Sequence, residues 1–107
     1  IAEARNGSTS LPEAIIAANN MVALGALLSL RQHGLRVPDD IAVAAFDDFE
    51  IASQLDPFLT VVRQPAYDIG REAARLLLDR IQNSDRPPEE KVLPVDLVVR
   101  RSTRRPR

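Results

Sequence analysis

The chain has 107 residues, of which 45% are hydrophobic and 27% charged, and its formal net charge is −1. This composition is typical of a folded globular protein, and the near-neutral charge gives no sign of general nucleic-acid binding. The sequence has no cysteine and a single histidine, His33, which excludes disulfides and leaves little for a zinc site. We therefore expect no metal and no cofactor.

Residues 1–5 are compatible with the end of a helix, residues 6–12 predict a loop, and an apolar run and a helical pattern follow. Residues 14–18 are apolar between polar neighbours, which is typical of a strand buried on both faces in a parallel sheet. Asn20 is placed to cap the helix that follows, which extends to about His33, and Gly34 suits the left-handed residue that ends many helices. The apolar positions of this helix are Met21, Leu24, Leu27, Leu28 and Leu30.

The middle of the chain repeats the alternation of strand and helix. Residues 41–46 predict a second buried strand, and residues 49–54 a short helix. Residues 60–63 are β-branched and predict a third strand. Pro65 then opens a long helix that extends to residue 83, because its missing N–H does no harm at the first helical position.

Two short extended pieces and a basic tail complete the chain. Residues 91–93 and 97–99 predict extended structure, so the order of elements is β-α-β-α-β-α-β, which indicates an α/β sheet with helical crossovers. The tail carries five arginines between residues 100 and 107. Such a run invites a nucleic-acid interpretation, but without aromatic residues or a helical frame it favours a frayed, solvated tail.

Three polar side chains follow the ends of predicted strands. Asn19, Asp47 and Gln64 lie at or just beyond the carboxyl ends of successive strands, where ligands bind in open α/β sheets. A carboxylate in a dry cleft needs hydrogen-bond donors, which ligand hydroxyls or a ring N–H would supply to Asp47. Asn19 could equally satisfy a loop backbone, and Gln64 a backbone group at a hinge.

The adjacent carboxylates Asp47 and Asp48 have other interpretations. Either carboxylate could cap the short helix that begins near Phe49. Capping is the preferred interpretation for Asp48, and ligand binding is preferred for Asp47. A catalytic carboxylate pair is disfavoured, because adjacent residues rarely face one another and no nucleophile–base set accompanies them. We expect no catalytic residues and no enzyme activity.

Four stretches of the sequence carry a family resemblance. In order and spacing they resemble the LacI/GalR family of bacterial transcription regulators. The stretches are AIIAANNMVALGALL at 14–28, GLRVPDDIAVAAFDD at 34–48, DPFLTVVRQP at 56–65 and VLPVDLVVRRST at 92–103. The resemblance implies the C-terminal portion of an α/β, parallel-sheet, periplasmic-binding-protein-like (type I) fold that binds an effector in a cleft between two subdomains.

The same resemblance assigns residues. It implies that Asn19, Asp47 and Gln64 line the effector pocket. It also implies that the helix from Asn20 and the segment before residues 57–60 pack across a dimer axis, with Leu24, Leu28 and Leu55 as candidate interface residues. Ordinary core packing is an equal alternative for Leu28.

The resemblance further implies partners for a parent protein. Residues 1–107 would be the C-terminal part of its effector-binding and dimerisation domain, and the helix-turn-helix domain and most of the first subdomain would be absent from the chain. The expected partners are a small effector (a sugar or a nucleoside-like compound), a second copy, and operator DNA contacted through the absent domain. We expect a cytoplasmic protein without membrane contact. A solute-binding protein of the same fold and a ligand-free interaction module are the alternatives.

Two residues depart from the family pattern, and one helix raises a question of burial. Asn20 replaces the usual Asp after the strand-ending Asn, and Ala45 replaces the usual Gly before the Phe-Asp-Asp motif.

The helix from Pro65 carries four large apolar side chains: Ile69, Leu76, Leu77 and Ile81. Each of them stabilises the fold by ~1.5–3 kcal/mol when fully buried. We expect this face to be covered by more chain or by another copy.

Overall fold

The computed structural model describes residues 10–104, apart from the side chains of residues 51–53. Two compact units divide the chain. The first contains the residues up to Arg63 together with those from Asp96 onward, and the second is Gln64–Val95. None of the helices among the described residues is long and apolar enough to cross a membrane.

The elements follow the order that the sequence predicts. They are β1 (Ala14–Ala17), α1 (Asn20–Gln32), β2 (Ala42–Phe46), α2 (Glu50–Leu55), β3 (Thr60–Arg63), α3 (Ala66–Gln82) and β4 (Asp96–Val98), followed by a 3₁₀ turn at Arg101–Thr103. The alternation of strands and helices is therefore confirmed, and the bounds of β3 agree residue for residue with the prediction.

The strands form one sheet in the order β1-β2-β3-β4. The first three run parallel, as predicted, and β4 pairs antiparallel with β3, placing Asp96 opposite Arg63. The predicted extended piece at 91–93 is not a strand. This segment lies in the second unit and has no strand pairing. Its Lys91 ammonium binds the Glu72 carboxylate on α3 at 2.8 Å.

The core of the first unit lies on one face of its sheet. Val43, Ala45 and Val61 point to this face, and α1 packs against it with Ala23 and Leu30 fully buried. The opposite face is open at β1 and β4, where Ile16 and Leu97 are 76% and 67% exposed, but Thr60 on β3 is buried there. The prediction that residues 14–18 form a strand buried on both faces is therefore wrong, because α1 covers one face of β1 and Ile16 on the other face is exposed.

Local hydrogen bonds fix both ends of α1. The cap is Asn19, whose Oδ1 accepts a hydrogen bond from the Val22 N–H at 2.9 Å, so the predicted cap at Asn20 is wrong by one residue. At the other end Gly34 has φ +68°, as predicted, and the Leu35 N–H donates to the Leu30 carbonyl at 2.9 Å. This is a Schellman-type ending, which satisfies carbonyls that the last turn leaves unpaired.

The second unit is built on α3. Every residue of this helix is exposed or half-buried, and the apolar side chains Ile69, Leu77 and Ile81 are 41%, 61% and 68% exposed. On its polar side Glu72 accepts hydrogen bonds from Arg75 and Lys91. Those guanidinium and ammonium groups lower the pKa of Glu72, and Glu72 in turn raises the pKa of Arg75. The helix is confirmed, and its apolar face is available to a partner.

Candidate functional site

The loops after β1 and β2 meet at the carboxyl edge of the sheet. Ala17 lies opposite Ala45 in the ladder, and Asn19 and Asp47 each follow two residues later. Neighbouring strands are about 4.8 Å apart, so this register brings the two loops side by side. A direct contact joins them, because the Asn20 side-chain amide donates to the Asp48 carbonyl at 3.1 Å.

Asp47 turns the chain away from the strand direction. Its φ is +70°, in the left-handed region, while its N–H still donates to the Val62 carbonyl of β3 at 2.9 Å. For residues other than glycine this conformation costs about 1–2 kcal/mol, although Asp and Asn tolerate it best. The half-buried Asp47 is therefore held in place by its surroundings.

Asp48 is the centre of an ion-pair cluster. Its two carboxylate oxygens accept hydrogen bonds from the two terminal nitrogens of Arg100, at 2.8 and 2.7 Å. Arg63 donates to the same carboxylate at 3.1 Å, and the Phe49 N–H donates at 2.9 Å. The side chains of Arg100 and Asp48 are only 10% and 13% exposed, so this pair is largely removed from water.

The electrostatics of this cluster decide what Asp48 can do. The hydrogen bonds from Arg100 lower the pKa of Asp48, with a smaller contribution from Arg63, and Asp48 raises the pKa of Arg100. Both groups therefore stay ionised at neutral pH, and Asp48 is unsuited to hold a proton as a general acid. The bond from Phe49 is not the predicted helix cap, because Phe49 precedes α2 and a cap accepts from an amide inside the first turn.

The segment after β4 closes the opposite end of the sheet. Ser102 is fully buried. Its hydroxyl accepts from the Thr60 N–H at 2.7 Å and donates to the Val43 carbonyl at 2.6 Å. The Thr60 hydroxyl accepts from the Arg100 N–H at 2.8 Å. These bonds join the start of β3 to β2 and anchor Arg100 where its guanidinium reaches Asp48.

The predicted fraying of the tail is wrong for Arg100 and for the 3₁₀ turn at Arg101–Thr103, although the Arg101 side chain is 63% exposed, as expected of a solvated residue. The Arg100 side chain is only 10% exposed and pairs with Asp48, and Arg101 binds Asp56 at 2.7 Å and lies 5.4 Å from the centre of the Phe58 ring. The reason is that two carboxylates and an aromatic ring from distant parts of the chain supply partners for these arginines. Arg104 is exposed. The other two arginines, Arg105 and Arg107, lie outside the described residues.

Gln64 follows β3 directly and is the first residue of the second unit. Its side chain is exposed, and its carbonyl accepts a hydrogen bond from the Ala66 N–H at 2.9 Å. Within that unit it lines a cavity of about 270 Å³ together with Ile69, Leu76 and Lys91. The structure thus places Asn19 and Asp47 together in the first unit and describes Gln64 with the second.

The three candidate interface residues all face solvent. Leu24, Leu28 and Leu55 are 38%, 51% and 82% exposed, so the core alternative for Leu28 is wrong. Leu24 also lines a cavity of about 330 Å³. The other residues of that cavity are Leu27, Asp48, Phe49, Asp56, Phe58, Leu59 and Arg100. The described side chains contain no group of three or more His, Asp or Glu residues that could hold a metal ion.

Comparison with protein families shows which family the chain belongs to. A family model described as a periplasmic binding protein-like domain matches residues 1–103. The chain belongs to this family. For this periplasmic binding protein-like domain, the resemblance to LacI/GalR regulators is confirmed by the names of its relatives and by its structural neighbours.

Curated relatives of the domain are named as transcription regulators. The repressor CytR of Escherichia coli K12 is 39% identical over 93 residues, covering 87% of this chain and 27% of the relative. The regulator CelR of Thermobifida fusca is 44% identical over 90 residues, covering 84% and 26%. The chain therefore spans about a quarter of the length of these relatives.

Solved structures of LacI-type regulators share the fold of this periplasmic binding protein-like domain. A LacI regulator from Bacillus cereus subsp. cytotoxis has a TM-score of 0.82 at 28% identity, covering 94% of this chain and 36% of that one. A ribose-bound LacI-family regulator from Enterococcus faecium scores 0.74 at 33%, covering 95% and 37%. The Lac repressor dimer bound to operator scores 0.72 at 35%, covering 87% and 28%.

Sequence reasoning missed the basic partners of the site in this domain. Arg63 and Arg100 were assigned to a strand end and to a tail, because nothing local links them to Asp48, which is 15 and 52 residues away in the chain. Ser102 was missed for the same reason. The one available signal was a Ser-Thr pair within an otherwise basic run, since hydroxyl side chains commonly satisfy buried backbone groups.

Proposed function

We propose that this domain binds a small sugar, or a compound that contains one, at the carboxyl edge of its sheet, and that binding regulates the DNA affinity of a LacI-type repressor. The observation that carries the proposal is the half-buried Asp47 on its left-handed turn, in the loop that contacts the loop of Asn19. Carboxyl edges of parallel strands are the usual ligand positions in open α/β sheets.

The chemistry of these side chains suits a polyhydroxyl ligand. A carboxylate accepts hydrogen bonds from two neighbouring hydroxyls, and charge-assisted bonds of this kind are about twice as strong as neutral ones. The Oδ1 of Asn19 caps α1, which leaves its amide nitrogen to donate to a ligand oxygen. The ribose-bound relative supports a sugar, and a nucleoside presents the same ribose hydroxyls. In this proposal Gln64 is a third ligand-binding residue, and none of the three performs catalysis.

The regulatory part of the proposal follows from population shift. An effector that binds one arrangement of a two-subdomain cleft more tightly shifts the protein toward that arrangement. The chain would supply part of that cleft and part of the dimer contact, and a helix-turn-helix domain elsewhere in the parent protein would bind operator DNA. The names of the relatives and the operator-bound dimer support this assignment and a cytoplasmic location.

Ligand binding is tested by thermal unfolding of the chain with D-ribose, adenosine and inosine. A ligand at 100 times its dissociation constant should stabilise the fold by about 2.7 kcal/mol. Asp47→Asn keeps the shape and tolerates the left-handed backbone, so it should fold and lose the stabilisation. Asp85→Asn, in an exposed turn of the second unit, is the matched control and should keep it.

Two results would contradict this part of the proposal. An equal shift in Asp47→Asn would remove Asp47 from the ligand contacts. No shift with ribose or with either nucleoside would exclude ribose and these two nucleosides as ligands of the chain.

Dimerisation through α1 and α2 is tested by sedimentation. Each exposed leucine buried at an interface contributes about 1.5–3 kcal/mol, so one substitution by glutamate should weaken a dimer about ten- to hundredfold or more. Leu28→Glu and Leu55→Glu should therefore shift the chain to monomers. Val92→Glu replaces a side chain that is 83% exposed in the second unit and should leave the dimer intact. A dimer that survives both leucine changes would reject this interface.

A further inference from the structure

We propose that Asp48 is a positioning residue: it holds the turn at Asp47 in the left-handed conformation that presents the Asp47 carboxylate to the effector. The part of this inference that concerns the effector rests on the proposed function. The part that concerns the turn depends on the contacts of the first unit alone.

The carboxylate of Asp48 is fixed by donors from three parts of the chain. Arg100 grips both oxygens from the segment after β4, and Arg63 adds a bond from the end of β3. The Phe49 N–H donates from the start of the next segment. A bidentate guanidinium defines the orientation of a carboxylate as well as its position. The side chain therefore has little freedom to move while these bonds persist.

The backbone on both sides of this side chain is fixed as well. The Asp47 N–H donates to the Val62 carbonyl, which ties the start of the turn to β3. The Asp48 carbonyl accepts from the Asn20 side chain, which ties the end of the turn to the first residue of α1. With the Asp48 side chain also bound, the peptide that joins Asp47 to Asp48 is held at both ends.

Arg100 is itself positioned for this role. Its N–H donates to the Thr60 hydroxyl at 2.8 Å, and its guanidinium also donates to the Leu59 carbonyl at 3.1 Å. The side chain is 10% exposed, so solvent cannot easily replace Asp48 as its partner. Loss of the carboxylate would leave a nearly buried charge without its counter-ion, and the turn would move to relieve it.

The first test reads the backbone of Asp47 directly. In the ¹⁵N-labelled chain, a residue with positive φ gives an intense NOE between its own amide and α protons. We expect this NOE for Asp47 in the wild-type chain and its loss in Asp48→Asn. The matched control is Asp56→Asn, which removes an ion pair with Arg101 of equal length, 2.7 Å, in which the Asp56 side chain is 74% exposed. This control should leave the Asp47 signal unchanged.

The second test reads the effector site by titration of D-ribose. In metal sites, removing a residue that holds a ligand side chain in place weakens metal binding about tenfold to hundredfold. By the same reasoning, Asp48→Asn should weaken ribose binding at least about tenfold. Asp56→Asn should bind ribose like the wild-type chain. A purely structural ion pair would lower thermal stability without changing either the Asp47 NOE or the affinity of the folded protein.

A second variant covers the case in which Asp48→Asn does not fold. Arg100→Lys keeps the positive charge but cannot bind both oxygens in a fixed fork, so it should weaken the Asp47 NOE and ribose binding in the same direction. A persistent positive φ at Asp47 in both variants would overturn the proposal. A lost NOE with unchanged ribose affinity would overturn its effector part. If the wild-type chain does not bind ribose, ribose is excluded as the effector, and the NOE alone decides whether Asp48 holds the turn at Asp47.

Discussion

Replacing Ser102 by alanine should destabilise the chain far more than the loss of one hydroxyl suggests. The hydroxyl sits between two strands, accepting from the Thr60 N–H at 2.7 Å and donating to the Val43 carbonyl at 2.6 Å. Val43 and Ser102 are fully buried and Thr60 is 4% exposed, so water does not reach the groups that alanine would leave behind.

The size of the effect follows from those two bonds. A buried polar group left without a partner costs about 1–3 kcal/mol, so the two groups together should cost about 2–6 kcal/mol. A change of 1 kcal/mol shifts the melting temperature of a domain of this size by about 4–8 °C, which predicts a fall of about 8 °C or more.

Urea unfolding followed by circular dichroism measures this loss directly. Ser84→Ala is the matched control, because Ser84 lies in an exposed turn of the second unit and its replacement should change stability by no more than about 0.5 kcal/mol. If Ser102→Ala also lost less than about 0.5 kcal/mol, the bridging hydroxyl would not be a principal contact between β2 and β3.

Acid sensitivity and glycine geometry give two further predictions. Because its ion pairs lower the pKa of Asp48 below its ordinary value of 3.8, Asp48 stabilises the fold above that value, and this contribution is lost as the pH falls through the still lower folded pKa. Urea midpoints between pH 6 and pH 3 should therefore fall less steeply in Asp48→Asn than in wild type, and equal slopes would exclude Asp48 as a source of the acid loss. At Gly34, with φ +68° and open space around it, alanine should cost about 1 kcal/mol through backbone strain alone. Gly25→Ala, inside α1 and equally unobstructed, should instead add up to about 1 kcal/mol, and the two melting temperatures should move in opposite directions.

The sequence predicted most of the fold because its signals are local. An apolar run between polar residues locates β1, a β-branched run locates β3, and Gly34 marks the end of α1 through its own backbone preference. The cap of α1 was misplaced by one residue because Asn19 and Asn20 are chemically identical. The structure distinguishes them through the path of the backbone, which leaves Asn20 already helical and turned toward Asp48.

The candidate site was predicted only in part, for the opposite reason. Asp47 and Asn19 follow strand ends, a position that sequence defines, and their two loops do meet. The pairing of Asp48 with Arg100 spans 52 residues, and that of Ser102 with Val43 spans 59. No periodicity connects residues so far apart. Such contacts depend on how β4 returns beside β3, and the antiparallel direction of β4 could not be inferred from its three residues.

The antiparallel pairing of β3 with β4 means that the second unit is inserted between two neighbouring strands of the first unit's sheet. Arg63 and Asp96 are directly opposite in the ladder, so the chain leaves the first unit and re-enters it within about 5 Å, the separation of paired residues. Antiparallel neighbours are ordinarily joined by a turn of about two residues. In the sequence, Gln64–Val95 thus stands where a hairpin turn would ordinarily connect β3 to β4. Evolution could lengthen, replace or exchange that insertion while the strands on either side of it kept the same partners.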